Sequence, residues 1–190
     1  MLMTTSTAIT TITTTSAATT LTITLNTCTS TWANIDVLYH CYNNCTVQSS
    51  YVQYTYSYVA IGNTTRLTFA LRQDHYYFAL DTISVSGNAA PGTELLINGD
   101  FEMGNLTPWL YCNPNNANYA GVVRATNYSY SGKTYGPHTG THFYLDGAVG
   151  SPDFISQTFT TIIGDAYSLS FWLYNPSGGT GVSVDILMST

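Results

Sequence analysis

From about residue 32 onward the chain alternates apolar and polar residues in short runs. Ile35 to Tyr39, Tyr51 to Ile61, Leu67 to Arg72, Ala79 to Val85, Leu95 to Asn98, Phe154 to Ile162, Tyr167 to Tyr174 and Val182 to Met188 are each predicted as strands. Almost no helical periodicity is visible. Gly, Asn and Pro clusters separate the runs, as in Gly87-Asn88-Ala89-Ala90-Pro91-Gly92 and Asn175-Pro176-Ser177-Gly178-Gly179, which is turn chemistry. Strand after strand with such punctuation predicts an all-β antiparallel sandwich of the jelly-roll kind.

Two segments resemble one another. Gln157 through Gly164 to Leu169-Ser170-Phe171-Trp172-Leu173 parallels Gln53 through Gly62 to Leu67-Thr68-Phe69-Ala70-Leu71, with Leu and Phe at equal offsets from the glycine. Side chains alternate across a strand, so the Leu, Phe and Leu of each copy are expected in the core, and Trp172 and Tyr174 on the opposite face. Each half of the chain is too short for a sandwich of its own. One copy is therefore expected in each half of a single sandwich.

Ahead of these strands, residues 1 to 31 contain 15 Thr and 3 Ser. Composition alone describes a flexible or O-glycosylated stalk, yet Leu21-Thr22-Ile23-Thr24-Leu25 alternates like a strand. A strand needs hydrogen-bond partners for its backbone, and the sheet edge of another copy is the simplest source. An extended arm of about 20 residues reaches roughly 60 Å. Residues 1-25 are therefore read as an extended, intermolecular arm in which Leu21, Ile23 and Leu25 mark the added strand, and residues 26-190 as one domain.

Composition narrows the function. Only 14 of 190 residues are charged, 7%, against roughly 25% in an ordinary soluble domain. The net charge is −6, and the four basic residues Arg66, Arg72, Arg124 and Lys133 are scattered. Nucleic acid and anionic membranes are thus excluded as main partners, and no apolar run is long enough for a membrane-spanning helix. With 44% hydrophobic residues, including 16 Tyr, there is ample material for a core. Met1-Leu2-Met3 runs straight into Thr and Ser, unlike a signal peptide, so a processed or partial chain is expected.

Four cysteines, Cys28, Cys41, Cys45 and Cys112, suit an oxidising compartment and structural disulfides, with three pairings open. Asn44, Asn63, Asn105 and Asn127 head N-glycosylation sequons, Asn105 being the poorest because Pro108 follows. Together these predict a secreted, extracellular glycoprotein.

The run Leu95-Leu96-Ile97-Asn98-Gly99-Asp100-Phe101-Glu102, then Gly104 and Trp109, resembles the opening strand of galactose-binding-like jelly rolls, the family of many carbohydrate-binding modules. The likeness continues through Gly140-Thr141-His142-Phe143-Tyr144-Leu145-Asp146-Gly147 and Gln157 to Tyr174. A domain of that family closes with strands like Leu67 to Leu71 and Phe78 to Val85, which here come first. Secreted invertebrate proteins with a Thr-rich arm show a similar order. The resemblance implies a circularly permuted jelly roll: a family-closing half at 26-86, a linker at 87-93 and a family-opening half at 94-190. The halves can close within one chain, which is the favoured expectation. Alternatively, one half completes a neighbouring copy, a contact that propagates as a fibre.

The resemblance also implies a structural calcium held by Glu102 and Asp81, with Asp100, Asp146 and Asp153 as extra ligands or turn residues. A sugar site needs flat aromatic surface and a few polar groups. Trp172, Tyr174, Arg72, Tyr76 and Tyr77 are the candidates, and Tyr54, Tyr56 and Tyr58 form a second same-face stripe; packing between sheets or between subunits is the alternative use of these tyrosine-rich faces. An enzyme is not expected. His138 and His142 lie among Gly, Pro and Thr without a helix or a suitably placed Glu, and no nucleophile elbow or phosphate loop is present. The leading expectation is a self-assembling extracellular filament subunit that polymerises through its arm. The alternative is a lectin-like carbohydrate-binding module.

Overall fold

The structure is a computed structural model that describes the backbone of Thr11–Ser16 and Thr19–Thr24, and residues 31–190. Strands β1 (Thr11–Ser16) and β2 (Thr19–Thr24) pair antiparallel with each other, Thr14 opposite Leu21 and Ile12 opposite Ile23. The strand expected around Leu21 and Ile23 is thus present and finds a partner within its own chain. Leu25 and Cys28 lie outside the described residues.

The sandwich is built from β3 (Asp36–Tyr42), β4 (Val52–Val59), β5 (Thr64–Gln73), β6 (Phe78–Gly87), β11 (Phe143–Asp146), β12 (Asp153–Thr160), β13 (Ala166–Tyr174) and β14 (Val182–Ser189). Between β6 and β11 lie the short strands β7 (Leu110–Cys112), β8 (Val122–Arg124), β9 (Tyr128–Tyr130) and β10 (Lys133–Tyr135). One sheet runs β3-β14-β5-β12-β7 and the other β4-β13-β6-β11-β8. The two pack face to face as an all-β antiparallel sandwich compatible with a jelly roll. Among the described residues there is no helix long and apolar enough to cross a membrane.

The similarity between the halves has a structural counterpart larger than the sequence suggests. The three strands β4-β13-β6 of one sheet are repeated as β12-β5-β14 in the other, and β11 and β3 flank them equivalently. Strands β3 to β6 therefore correspond to β11 to β14 about a pseudo-two-fold axis. Leu67, Phe69 and Leu71 on β5 match Leu169, Phe171 and Leu173 on β13, and all six are at most 2% exposed. Phe69 and Phe171 meet edge to face across the sandwich, ring centroids 5.1 Å apart. The glutamines do not correspond: Gln157 lies opposite Leu67, whereas Gln53 lies opposite Trp172.

Tyr54, Tyr56 and Tyr58 face inward. Tyr54 stacks on Phe171 at 5.3 Å and Tyr58 is 3% exposed, so this stripe is packing between the sheets.

Leu95 to Asn98 is not a strand. Side chains take the place of a ladder there. Glu94 Oε1 accepts the N–H groups of Val85, Leu95 and Leu96, while the Gln157 amide accepts from Ile97 N and donates to Ile97 O. Gly99 then passes so close to β6 that a Cβ on it would lie 2.0 Å from Ile83 O, and its own carbonyl accepts Ile83 N at 2.8 Å. Gly99→Ala is expected to lower stability by about 1–3 kcal/mol by forcing this backbone contact apart, read as a reduced urea midpoint.

Cys41 and Cys45 form a disulfide, and Cys112 is also disulfide-bonded.

Candidate functional site

The outer face of the β4-β13-β6-β11-β8 sheet carries a second apolar layer. Ala79, Phe143, Leu145 and Tyr174 point outward from their strands, and the β9–β10 hairpin lays Tyr128 and Tyr135 over them. A continuous series of ring contacts crosses this face. Trp172 stacks on His138 at 3.8 Å, and contacts then run through Tyr51, Tyr174, Tyr135 and Tyr77 to Tyr130, each with ring centroids 5.4–6.1 Å apart. Tyr76 closes the series against Tyr130 at 6.2 Å. Trp172, Tyr174, Tyr76 and Tyr77 thus share one aromatic face. Their accessibility differs greatly. Tyr174 is 8% exposed, and His138 covers one face of the Trp172 indole.

The open end of the series is a cleft lined by Gln73, Asp74, His75, Tyr76, Tyr77, Tyr119, Tyr130, Gly147 and Val149. Tyr119 and Tyr130 are 69% and 44% exposed. Tyr130 stands at 86° to Tyr76 and 85° to Tyr77, so the rings form walls instead of a flat stack. Arg72 belongs to the opposite sheet but reaches the site through Asp74, donating from Nε at 2.8 Å and from its terminal nitrogen at 2.6 Å. Those bonds hold the Asp74 carboxyl below its usual range, so it remains an ionised acceptor whose charge is already balanced. Tyr119, Tyr130, Asp74 and His75 were not singled out from the sequence. The signal available was the Asp74-His75-Tyr76-Tyr77 run in a turn and the alternation Tyr128-Ser129-Tyr130 before Gly132.

The floor of the cleft is the loop from Gly147 to Pro152 between β11 and β12. Gln73 N donates to Ala148 O, Gly150 N to Asp74 Oδ1, and Gly147 N to Tyr119 O. Asp146 and Asp153 stand at the two ends of this loop, 0% and 1% exposed. Asp146 Oδ1 accepts Ala148 N at 2.8 Å, and Asp153 Oδ2 accepts Gly121 N at 2.7 Å and the Tyr111 hydroxyl at 3.0 Å. Burial, and then the neighbouring Asp153, push the Asp146 carboxyl well above the usual carboxylate range. These residues are a buried latch at the neck of the loop.

The calcium expectation meets a different chemistry. Glu102 accepts Thr141 N and His142 N, both at 2.7 Å, and the Thr141 hydroxyl at 2.8 Å. Asp81 accepts Thr82 N, His138 N and Thr139 N at 2.6–3.1 Å. Both carboxylates grip the loop at 138–142, each surrounded by N–H donors. Calcium requires converging oxygens, and this donor set does not fit it. Asp100 is exposed and accepts Glu102 N, and His142 lies 3.5 Å from Glu102. Among the described residues no group of three or more His, Cys, Asp or Glu gathers.

Asn44, Asn63, Asn105 and Asn127 are all exposed. The Asn105 amide nitrogen donates to Met103 O at 3.1 Å.

Comparison with known proteins finds no matching family model, no matching curated protein and no matching solved structure.

Proposed function

We propose that this chain is an extracellular carbohydrate-binding module whose sugar site is the tyrosine cleft. The observation that carries the reading is the set of accessible tyrosine walls beside the polar residues Asp74 and His75 that line the same cleft. Aromatic faces cover the C–H faces of a sugar ring, and a fixed carboxylate accepts its hydroxyls. The ligand class is a neutral glycan, because Arg72 already balances Asp74. Exposed sequons and disulfide-bonded cysteines support the extracellular setting.

Glycan-array screening followed by titration calorimetry tests this. Tyr130→Ala should weaken the best ligand about 3- to 10-fold, the worth of one aromatic contact, with little loss of stability. Asp74→Asn should weaken it further. Absence of binding to any neutral glycan, or equal binding by Tyr130→Ala, would remove the cleft from the function.

Assembly into an extracellular filament is the second reading. It is favoured by the β1–β2 hairpin, a two-stranded ribbon whose outer edges can each accept another strand. Deleting residues 1–25 should then abolish fibres under the electron microscope; undiminished fibres would exclude the arm.

A further inference from the structure

Strands β3 to β6 all lie within residues 31–87, and strands β11 to β14 within residues 94–190. Within each group, successive strands alternate between the two sheets, so no two strands of one group are hydrogen-bonded neighbours. All six ladders that join these eight strands run between the groups: β3 with β14, β14 with β5, β5 with β12, β4 with β13, β13 with β6 and β6 with β11. The four main strands of either half cannot pair among themselves in this arrangement. Each is a complete complement of the other.

The central core repeats the pattern. Phe171 of the later half packs on Tyr54, Tyr56 and Phe69 of the earlier one. The short strands β7 and β8 pair only with β12 and β11, so they travel with the later half.

The main chain passes between the halves once, along Asn88 to Thr93, and all six of these residues are exposed. It is folded back on itself by two turn bonds, Ala90 N to Gly87 O and Thr93 N to Ala90 O, both at 3.2 Å. Straightened, six residues span about 20 Å.

We propose that a second copy of this chain is a partner through exchange of halves, residues 31–87 of one copy pairing with residues 94–190 of the other about a hinge at 88–93. The ladders and core contacts between the halves can be reproduced in the exchanged form; what opening disturbs is the turn at the hinge and its bonds to the later half, Asn88 N to Ala166 O and Ala89 N to Asp165 Oδ2. Short hinge loops are where such exchange occurs. Reciprocal exchange closes a dimer, and head-to-tail exchange continues into a chain of copies. This inference is independent of the sugar reading.

The test uses Ser86 and Ser168, which are paired across β6 and β13 and are not buried. Full-length chains carrying Ser86→Cys and Ser168→Cys, isotopically distinguished, are unfolded and reduced together, refolded at high concentration and oxidised. Mass spectrometry then seeks a peptide joining positions 86 and 168 from different chains. The double variant in one chain establishes that the pair can form a disulfide.

Exchange predicts the inter-chain peptide, increasing with protein concentration. Deleting Ala89 to Pro91 should raise its yield at least several-fold by preventing the turn, and inserting a flexible Gly-Ser segment should lower it. A cross-link confined to the double variant, with no inter-chain peptide at any concentration or linker length, would overturn the proposal.

Discussion

Replacing Asp153 with alanine is expected to destabilise the fold by about 3 kcal/mol, the range for opening a buried hydrogen-bonded network. The substitution strips the Tyr111 hydroxyl and Gly121 N of their acceptor and leaves a void beside the buried Asp146. Asp146→Asn should behave oppositely. An amide at that position keeps an oxygen for Ala148 N and removes the buried carboxyl whose ionisation the fold disfavours. Near neutral pH it should therefore match or exceed the native chain. Urea unfolding of the three proteins decides; equal loss in both variants would refute the different roles given to the two carboxyls.

The same pair sets a pH dependence. Burial raises Asp146, and likewise Asp81 and Asp185, above their unfolded values. Between the unfolded pKa of about 3.9 and the raised folded value, the folded chain holds more protons than the unfolded one. Stability must fall as pH rises through that interval, by up to about 1.4 kcal/mol per pH unit for each proton. Glu102 works in the other direction. Burial pushes its carboxyl up, but the N–H groups of His142 and Thr141 and the side chains of both residues outweigh this and hold it at about 2. Its contribution is lost as pH drops from about 4.3 toward 2. Thermal stability should peak on the acid side of neutrality, and Asp146→Asn should flatten the alkaline slope.

Much of this was legible in the sequence where one periodicity governs a segment. Leu67, Phe69 and Leu71 alternate with residues that face away from the core, as do Leu169, Phe171 and Leu173, and their burial follows. Leu95 to Asn98 carries a similar pattern but is held by Glu94 and Gln157, and nothing in a local run says that side chains will replace a neighbouring strand. The latch was hidden for a related reason. Asp146 and Asp153 look like turn residues because they flank Gly and Pro, and only the crossing of that loop between sheets brings their carboxyls together. Trp172 and Tyr174 were placed on the correct face, whereas their coverage by His138 and Tyr135 depends on an insertion rich in Asn and Gly, whose strands are three residues long.

Phe171→Ala is expected to carry the largest effect, about 3–5 kcal/mol. The ring is fully buried, stacked on Tyr54 at 5.3 Å and on Tyr56 at 6.2 Å, with Phe69 edge-on at 5.1 Å. Phe69→Ala should cost a similar amount, since Phe69 also meets Trp109 at 6.3 Å. Because the two rings touch, the double variant should fall short of the sum by about 0.5–1.5 kcal/mol, the worth of an aromatic pair; strict additivity in a denaturation cycle would refute their contact. These losses fall on contacts between the halves of the fold, which closed and exchanged forms make equally. Phe171→Ala should therefore weaken the folded state while leaving the proportion of exchanged copies, measured under conditions where the variant remains folded, close to that of the native chain.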